Sequence, residues 1–569
     1  MNSKASSIAV VTRKKASDLT ARGEPMVWAM GGSLAFGLMM VMGFLALIFW
    51  NGFTAFWPKP VDVVTLNDGR VIAGEPMRAE SYRPTQEALQ KLPAAVQAEI
   101  REHGGLASRT LYRIGNYDYY ANDFDWVSAF DVKSVAAPKD IMLVERQEWG
   151  VLIGRLTSLT IDGKAHSNPD LAAIDAAHRK ARTLRAERIA IEKDELGEVN
   201  REINDLRLSV RRAEIDYGTG SPEMKAAEVH AAEETQRLNG QFETLSAKVL
   251  AVREKEEAIT VTGAEIGGQT KDFPLGNFVR YYAPNDLSLA QKVGVYISRW
   301  WEFLSTEPRE ANTEGGVWPA IFGTFVMTVV MSVLVAPFGV IAALYLREYA
   351  KQGRIVALVR ICVNNLAGVP SIVYGVFGLG FFAYVLGGSI DHLFFPERLP
   401  SPTFGTGGLL WASLTMALLT VPVVIVSTEE ALAAVPRSMR EGSLACGASK
   451  WQTIKWIVLP RAMPGIMTGL ILAMARGAGE VAPLMIVGVV KLAPELPLDG
   501  AFPFIHLERS FMHLGFHIYD VGFQSRNSEA GRSMVFVTAL VLMALVLALN
   551  TFSINVRNRL KRKFAGDKF

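Results

Sequence analysis

Six apolar runs are long enough to cross a bilayer as helices, and they limit what this chain can fold into. They lie at about residues 27–50, 317–346, 360–388, 408–427, 464–490 and 533–556. A bilayer core needs roughly 20 mainly apolar residues per helix. Because only a backbone that satisfies its own hydrogen bonds can occupy that core, the runs predict an α-helical polytopic membrane protein. The long polar stretch after the first run, residues 60–314, predicts one large soluble insertion.

The first run is read as a retained membrane helix, since it is longer than a signal-peptide core and no small-x-small cleavage site follows it. Lysine and arginine are concentrated on alternate sides of the six runs. They occur in the tail 1–26, after the second run, in the loop 428–461 and in the tail 557–569. Since positively charged loops stay in the cytoplasm, both termini are predicted to be cytoplasmic and the insertion periplasmic. We expect the inner (cytoplasmic) membrane of a bacterium.

Several classes of function do not fit the sequence. No GxxxxGK[ST] loop is present, so we expect no ATPase activity, no catalytic residue and no cofactor in this chain. The formal net charge is only +3 and no basic patch alternates with aromatic residues, so we expect no nucleic-acid partner. His513 and His517 have the i,i+4 spacing of a metal pair, but without further ligands at a suitable spacing we expect interfacial packing and no metal site.

The insertion is predicted to be an exported α+β domain with a long antiparallel coiled-coil hairpin. Asn67-Asp68-Gly69 and Asp162-Gly163 lie between β-branched runs and predict turns between strands. Apolar residues then repeat at spacings of three and four over residues 172–259, interrupted by a Gly-Ser-Pro turn. The two cysteines, Cys362 and Cys446, lie elsewhere, so this domain must fold without disulfides. Three roles stay open: guiding a binding protein, contacting an envelope partner, or bracing a second membrane subunit.

The cytoplasmic loop 428–461 is too short to be a domain, but it is suited to docking in another protein's groove. Capping-box patterns occur at Ser427-x-x-Glu430 and Ser449-x-x-Gln452, and Gly447 can close a helix between them. The prediction is two or three short helices joined at a glycine turn, with Trp451, Ile454 and Val458 on one apolar face.

The spacing in this loop resembles the EAA loop of ABC-importer permeases, EAA-x3-G-x9-I-x-LP. The matching positions are Glu441, Gly447, Ile457, Leu459 and Pro460, with Gly442 and Ser443 in place of the two alanines. The resemblance implies that the loop seats in an ATPase subunit, that Glu441 contacts it, and that Gly447 allows the turn. An ordinary cytoplasmic helical hairpin is the alternative.

The fifth apolar run contains two charged residues, Arg476 and Glu480, four positions apart. On a helix this spacing places both side chains on one face, where they can pair. Charged groups deep in a bilayer are costly and generally face a pathway or a partner charge. Since an arginine fork can donate two parallel hydrogen bonds to a tetrahedral oxyanion, the pair predicts part of a substrate path. A purely structural ion pair between helices is the alternative.

ARGAGEVAPL (475–484) and NNLAGVPSIVYGVFGLG (364–380) resemble the PstA-type permease of phosphate ABC importers. The resemblance covers roughly residues 315–560; Gly477 and Val481 replace an alanine and a threonine of the family pattern. It implies a type I ABC-importer permease fold, with five membrane helices in residues 315–556. The implied partners are a second permease subunit, an ATPase dimer that binds ATP and Mg²⁺, and a periplasmic phosphate-binding protein. Gly368 and Pro370 predict a kink of the third helix, in the path.

Two other functions are weighed against phosphate import. A permease for another oxyanion, such as sulfate or molybdate, would use the same arginine fork. A membrane-anchored sensor or scaffold acting through its exported coiled coil would need a cytoplasmic signalling domain, and the longest loop on that side is the segment 428–461.

Overall fold

The computed structural model describes residues 25–90, 92–500, 504–525 and 528–565. The basic residues predicted to hold the N-terminal tail in the cytoplasm lie outside this range, as does the end of the C-terminal tail. Within it, six helices are long and apolar enough to cross a membrane, which confirms the multi-pass prediction. In chain order, membrane helices 1 to 6 are Met26–Thr54, Trp318–Tyr349, Ser371–Phe394, Leu409–Ala433, Lys450–Gly479 and Gly531–Arg562.

Two predicted spans are interrupted. The predicted third run begins within a separate helix, Arg354–Leu366, and membrane helix 3 starts only at Ser371, after Pro370. Proline lacks an N–H and disfavours helical geometry in the residue before it, so the predicted kink is a complete break. The predicted fifth run ends early, because Glu480 has an extended backbone (φ −81°, ψ 136°) and a short helix, Ala482–Val487, follows.

Membrane helices 2, 4 and 5 pack around a shared apolar core. Its fully buried members include Met327, Met331, Met416 and Val424. A Cβ atom added at Gly469 would lie 1.7 Å from the Ser427 Oγ atom, so glycine is what allows helices 4 and 5 to approach here. The capping box predicted at Ser427 is therefore wrong: Ser427 lies inside membrane helix 4, where its hydroxyl donates to the Val423 carbonyl at 2.8 Å.

The insertion contains two antiparallel sheets. The strands are β1 Asp62–Leu66, β2 Val71–Tyr82, β3 Ala107–Arg113, β4 Phe124–Ser128, β5 Val132–Ala136, β6 Met142–Arg146, β7 Val151–Ile161, β8 Lys164–Ser167, β9 Ile259–Ala264, β10 Thr270–Pro274 and β11 Phe278–Tyr282. The first sheet is ordered β4-β3-β2-β1-β5, and the second is ordered β10-β9-β7-β6-β11 with β8 paired to β7. The turns predicted at Gly69 and Gly163 are present, each glycine having a positive φ. Short helices at Gln86–Gln90, Ala94–Glu102 and Tyr117–Tyr120 connect them, and a two-stranded pair, β12 Pro308–Arg309 and β13 Glu314–Gly315, precedes membrane helix 2.

A long helical hairpin leaves the second sheet between β8 and β9. Its outgoing arm runs from Leu171 to Tyr217 with one wider turn at Ile191–Glu195, and its return arm is Pro222–Glu257. The Ser221 hydroxyl accepts a hydrogen bond from the Met224 N–H and caps the return arm. At about 1.5 Å per residue the outgoing arm is roughly 70 Å long.

The hairpin touches the membrane region near its tip. The Arg212 guanidinium donates to the Phe394 carbonyl at 3.3 Å and pairs with Glu397 at 3.3 Å, in the loop after membrane helix 3. The far end of the hairpin thus rests on the membrane region, and its base lies in the second sheet.

The insertion joins membrane helix 2 through an amphipathic helix, Leu289–Ser305, which we call the junction helix. Its start is fixed by a capping box of Ser288 and Gln291. Buried Glu145 on β6 pairs with Arg299 of the junction helix at 2.6 Å and with Arg280 of β11. Burial raises the pKa of Glu145, and these arginines lower it by more, so the net pKa is below its ordinary value. These ion pairs connect the second sheet to the junction helix.

Candidate functional site

The two helix interruptions of the membrane region meet each other. The first turns of membrane helix 3, from Ser371 to Phe377, pack against the short helix Ala482–Val487. A Cβ atom added at Gly375 would lie 2.7 Å from the Pro483 Cα atom, so the two backbones are in direct contact. Non-helical backbone at membrane depth is tolerated only where it is buried in protein or lines a water-filled cavity.

Arg476 and Glu480 pair beside this meeting point, as the sequence indicates. The Arg476 Nε atom lies 3.4 Å from the Glu480 Oε1 atom, and the side chains are 33% and 26% exposed. The geometry differs from the prediction in one respect: Arg476 is in the last turn of membrane helix 5 and Glu480 follows the helix end, so they do not share the face of a continuous helix. The terminal Arg476 nitrogens form no hydrogen bond within the described part of the chain.

Close packing fixes the backbone on both sides of the pair. A Cβ atom at Gly477 would lie 2.6 Å from the Met331 Sδ atom, so the Arg476 turn is pressed against membrane helix 2. The Tyr374 hydroxyl donates to the Leu366 carbonyl at 2.6 Å and satisfies a helix-end acceptor next to the break at Gly368 and Pro370. Sequence reasoning missed Tyr374; a polar tip four residues after a helix-breaking proline is the signal that points to it.

The predicted coupling loop forms a helix–turn–helix. Its first helix is Arg437–Ala445, and Gly447 makes the turn with φ +83°. The capping box predicted at Ser449 and Gln452 is present. The second helix begins at Lys450 and continues without interruption into membrane helix 5 through Ile457, Leu459 and Pro460.

Contacts hold the coupling loop close to the membrane helices while Glu441 stays exposed. The Arg440 guanidinium donates to the Leu432 carbonyl at 2.5 Å and pairs with Glu348 at 3.1 Å. The Ser443 and Thr453 hydroxyls, 2.9 Å apart, link the two helices of the loop. Glu441 has no ion pair with any residue that the structure describes.

The predicted apolar face of the loop is wrong at one position. Ile454 and Val458 are buried, but Trp451 is 59% exposed, as is Trp456 at 69%. A wider helical turn occupies Ile454–Val458, which includes Trp456 and directly follows the helical turn that contains Trp451. Two tryptophans are therefore available to a partner in the same loop as Glu441.

His513 and His517 are buried on the side of the membrane region that faces the insertion. Burial lowers the pKa of His513 to about 3 and that of His517 to about 4. The Nδ1 atom of His513 accepts a hydrogen bond from the Gly515 N–H at 3.1 Å. Among the described residues, no three His, Cys, Asp or Glu side chains are grouped as metal ligands.

The helix breaks and the coupling loop both lie in the part of the chain that is similar to known proteins. Residues 335–563 match the family described as binding-protein-dependent transport system inner membrane component. The phosphate transport system permease protein PstA of Mycobacterium leprae is 34% identical over 269 residues, which are 47% of this chain and 79% of that protein. PstA of Yersinia pestis is 30% identical over 250 residues, 43% of this chain and 75% of that protein. PstA 1 of Mycobacterium tuberculosis is 38% identical over 189 residues, 33% of this chain and only 56% of that protein.

Proposed function

This chain belongs to the PstA family of phosphate transport system permeases, and from that membership we propose that it forms half of the membrane path of an ATP-driven importer of inorganic phosphate. A second permease subunit supplies the other half. The observation that carries the proposal is the Arg476–Glu480 pair, placed where two interrupted helices meet. The terminal Arg476 nitrogens, unbonded within the described residues, supply the parallel donors that a tetrahedral oxyanion accepts.

The carboxylate beside the arginine makes the site suitable for transport. An arginine alone in a low-dielectric environment would hold a dianion tightly. Glu480 competes for the guanidinium at 3.4 Å and repels the anion, so binding stays weak enough for release. The pair sits at a helix end, and small backbone changes at Glu480 therefore move the carboxylate relative to Arg476 without unfolding a helix.

We further propose that the coupling loop transmits ATP hydrolysis to this site. ATP and Mg²⁺ bind to the partner ATPase dimer, and this chain performs no covalent chemistry of its own. Exposed Glu441 contacts the ATPase, and the turn at Gly447 sets the angle between the two loop helices. Since the second loop helix runs without interruption through Ile457, Leu459 and Pro460 to Arg476, a tilt at the loop moves the substrate site directly.

The membrane in this proposal is the bacterial inner membrane, with both termini in the cytoplasm. Basic side chains support that orientation: Arg347 lies in the last turn of membrane helix 2, and Lys351 and Arg354 follow it, on the side of the coupling loop. The insertion is then periplasmic, on the side where a phosphate-binding protein delivers substrate.

Radiolabelled phosphate uptake, in cells whose only high-affinity route is this system, tests the proposal. Arg476→Gln removes the charged donors and should lower uptake roughly 10- to 100-fold, because a hydrogen bond to a charged group contributes about 1.5–3 kcal/mol. Arg461→Gln, at an exposed arginine eleven residues after the start of the same helix at Lys450, is the matched control and should transport normally. Glu441→Lys should abolish uptake and also release the ATPase from the purified complex, which Arg476→Gln should not do.

All variants must reach the membrane in equal amounts. Normal uptake by Arg476→Gln would refute the role of the pair. If the wild-type complex instead imports sulfate or molybdate, the permease assignment stands and phosphate is the wrong substrate.

A further inference from the structure

A cavity of about 500 Å³ lies where the insertion meets the membrane region. Its walls come from the end of membrane helix 1, both sheets, the junction helix, the β12–β13 pair and the start of membrane helix 6. No predicted site residue lines it, and the transport proposal does not use it.

Most of the charges that line the cavity are already paired with each other. Four ion pairs account for eight side chains: Arg78–Glu529 at 2.9 Å, Arg299–Glu145 at 2.6 Å, Arg309–Glu302 at 2.5 Å, and Arg113–Glu314. These pairs tie the insertion to membrane helix 6 and to the entry of membrane helix 2. They fix the shape of the cavity and leave no net charge of their own.

Three charged side chains of the lining have no ion pair within the described residues: Glu75, Lys59 and Arg532. Glu75 is only 6% exposed, and its carboxylate has no hydrogen-bond partner in the part of the chain that the structure describes. The Lys59 amine lies 3.7 Å from the Met77 Sδ atom. The pKa of Lys59 is below its ordinary value, because burial lowers it by more than the nearby charge of Glu75 raises it. The two charges interact but are too far apart to form an ion pair.

Nearby Arg113, Arg299 and Lys59 partly compensate the charge of Glu75, but none of them donates a hydrogen bond to its carboxylate within the described residues. A ligand that places an N–H cation at Glu75 would supply the missing donors. Lys59 and Arg532 line the same cavity and supply positive charge for an anionic group of that ligand. The groups without an ion pair, one carboxylate and two cations, thus match a zwitterion better than a simple anion or cation.

The cavity spans the level at which lipid headgroups meet acyl chains. Leu47 lies seven residues before the end of membrane helix 1 at Thr54, about 10 Å deeper. Phe536 lies five residues after Gly531, about 8 Å into membrane helix 6. Both residues line the cavity, and so extend it from the charged insertion toward the acyl region.

Aromatic side chains mark the same level. Phe53, Phe56 and Trp57 of the helix 1 end contact Tyr296 and Trp300 of the junction helix. Phe56 and Trp57 also line the cavity. Tryptophan and tyrosine are enriched where a membrane protein crosses the headgroup region.

We propose that this cavity binds the headgroup of a zwitterionic aminophospholipid. Glu75 accepts hydrogen bonds from the primary ammonium, Lys59 and Arg532 bind the phosphate, and Leu47 and Phe536 contact the first acyl methylenes. The bound lipid bridges the insertion and membrane helices 1 and 6. The inference depends on the membrane spans and not on the identity of the transported anion.

The complex, purified with all its subunits, tests this in nanodiscs of phosphatidylethanolamine, phosphatidylcholine or phosphatidylglycerol, with retained lipid counted by native mass spectrometry after transfer to detergent. We expect one phosphatidylethanolamine retained per chain, and at least tenfold less of the other two lipids. Phosphatidylcholine is the sharp comparison, because its quaternary ammonium has no N–H to donate to Glu75. Glu75→Gln should reduce the preference for phosphatidylethanolamine at least tenfold, whereas Glu99→Gln, an exposed site in the same domain, should keep it.

Lys59→Met supplies an independent test should Glu75→Gln fail to assemble, since it removes a phosphate contact and leaves the carboxylate. It should lower retention of phosphatidylethanolamine at least tenfold. Equal retention of the three lipids, or retention unchanged in both variants, would overturn the proposal. Soluble glycerophosphoethanolamine has the same headgroup without acyl chains; if it displaces the lipid at micromolar concentration, the site takes the free headgroup and the lipid assignment is wrong.

Discussion

Gly375 offers the most direct test of the contact between the two broken helices. An alanine there would place its Cβ atom 2.7 Å from the Pro483 Cα atom and 2.9 Å from the Pro483 carbonyl oxygen. Carbon atoms in contact prefer about 3.5–4.0 Å, so the two segments must separate by roughly 1 Å. Both contacts are backbone atoms, and no side-chain rotation can relieve them. Overpacking of this kind costs about 1–3 kcal/mol.

The same helix supplies a matched control, because a Cβ atom at Gly380 would meet nothing within 4 Å. Gly380→Ala should be neutral or stabilising by about 0.5–1 kcal/mol, since alanine favours helix. For a domain of about 150–250 residues, the size of the membrane region after the insertion, 1 kcal/mol shifts the melting midpoint by about 2–4 °C. Gly375→Ala should therefore melt several degrees below Gly380→Ala in a thermal unfolding assay of the purified complex, and its uptake should fall because Pro483 lies three residues after Glu480. Equal midpoints for the two variants would show that the helix breaks do not touch.

Three further predictions concern other parts of the chain. Gly447→Val should impair phosphate-stimulated ATPase activity, because a left-handed backbone at φ +83° costs a residue with a side chain about 1–2 kcal/mol. Glu145→Gln should lower stability by about 3–5 kcal/mol at neutral pH in thermal melts, since it leaves its arginines buried without a counter-charge. The pKa of Glu145 is lowered, so its contribution is complete above the ordinary value of 4.5 and is lost as the pH falls through the lowered value; melts of Glu145→Gln should lack that part of the acid dependence. Arg212→Glu should place two like charges together at Glu397 and raise hydrogen exchange at the tip of the hairpin, with unchanged exchange at its base.

Hydropathy predicted the six membrane helices because the bilayer imposes one length on every span. It could not predict where two of them are interrupted. The kink predicted at Pro370 is the start of a new helix. Gly479 and Pro483 on either side of Glu480 are local helix-stop signals. What the local sequence does not indicate is that the short helix after Glu480 packs against Gly375, because that is a tertiary contact.

The two capping-box patterns show the same limit on a smaller scale. Ser449 and Ser427 have equivalent local sequences, and only Ser449 caps a helix. Ser427 lies within an apolar span, where its hydroxyl bonds to the carbonyl four residues earlier because no water is available to it. The spacing of residues specifies a cap only where the chain leaves the membrane.

The paired charges Arg476 and Glu480 were predictable because a four-residue spacing keeps them adjacent even when the helix ends between them. Contacts between distant segments were not. Arg212 and Glu397 belong to the insertion and to a loop of the membrane region, and neither has a sequence signature that indicates the other. The same is true of the ion pairs around the cavity, which depend on how the insertion settles on membrane helices 1, 2 and 6.

The strengths of these contacts decide which part of the insertion can follow a movement of the membrane helices. Arg113 and Glu314, 23% and 15% exposed, join the first sheet to the entry of membrane helix 2, and breaking a buried pair by removing one partner costs about 3–5 kcal/mol. In the Arg212–Glu397 pair the arginine is 57% exposed and the carboxylate 8% exposed, so water screens the arginine and weakens this pair relative to Arg113–Glu314. A displacement of membrane helix 3 from membrane helix 2 should therefore break the tip contact before the contact at Glu314. The insertion is thus attached firmly at the entry of membrane helix 2 and more weakly at the hairpin tip.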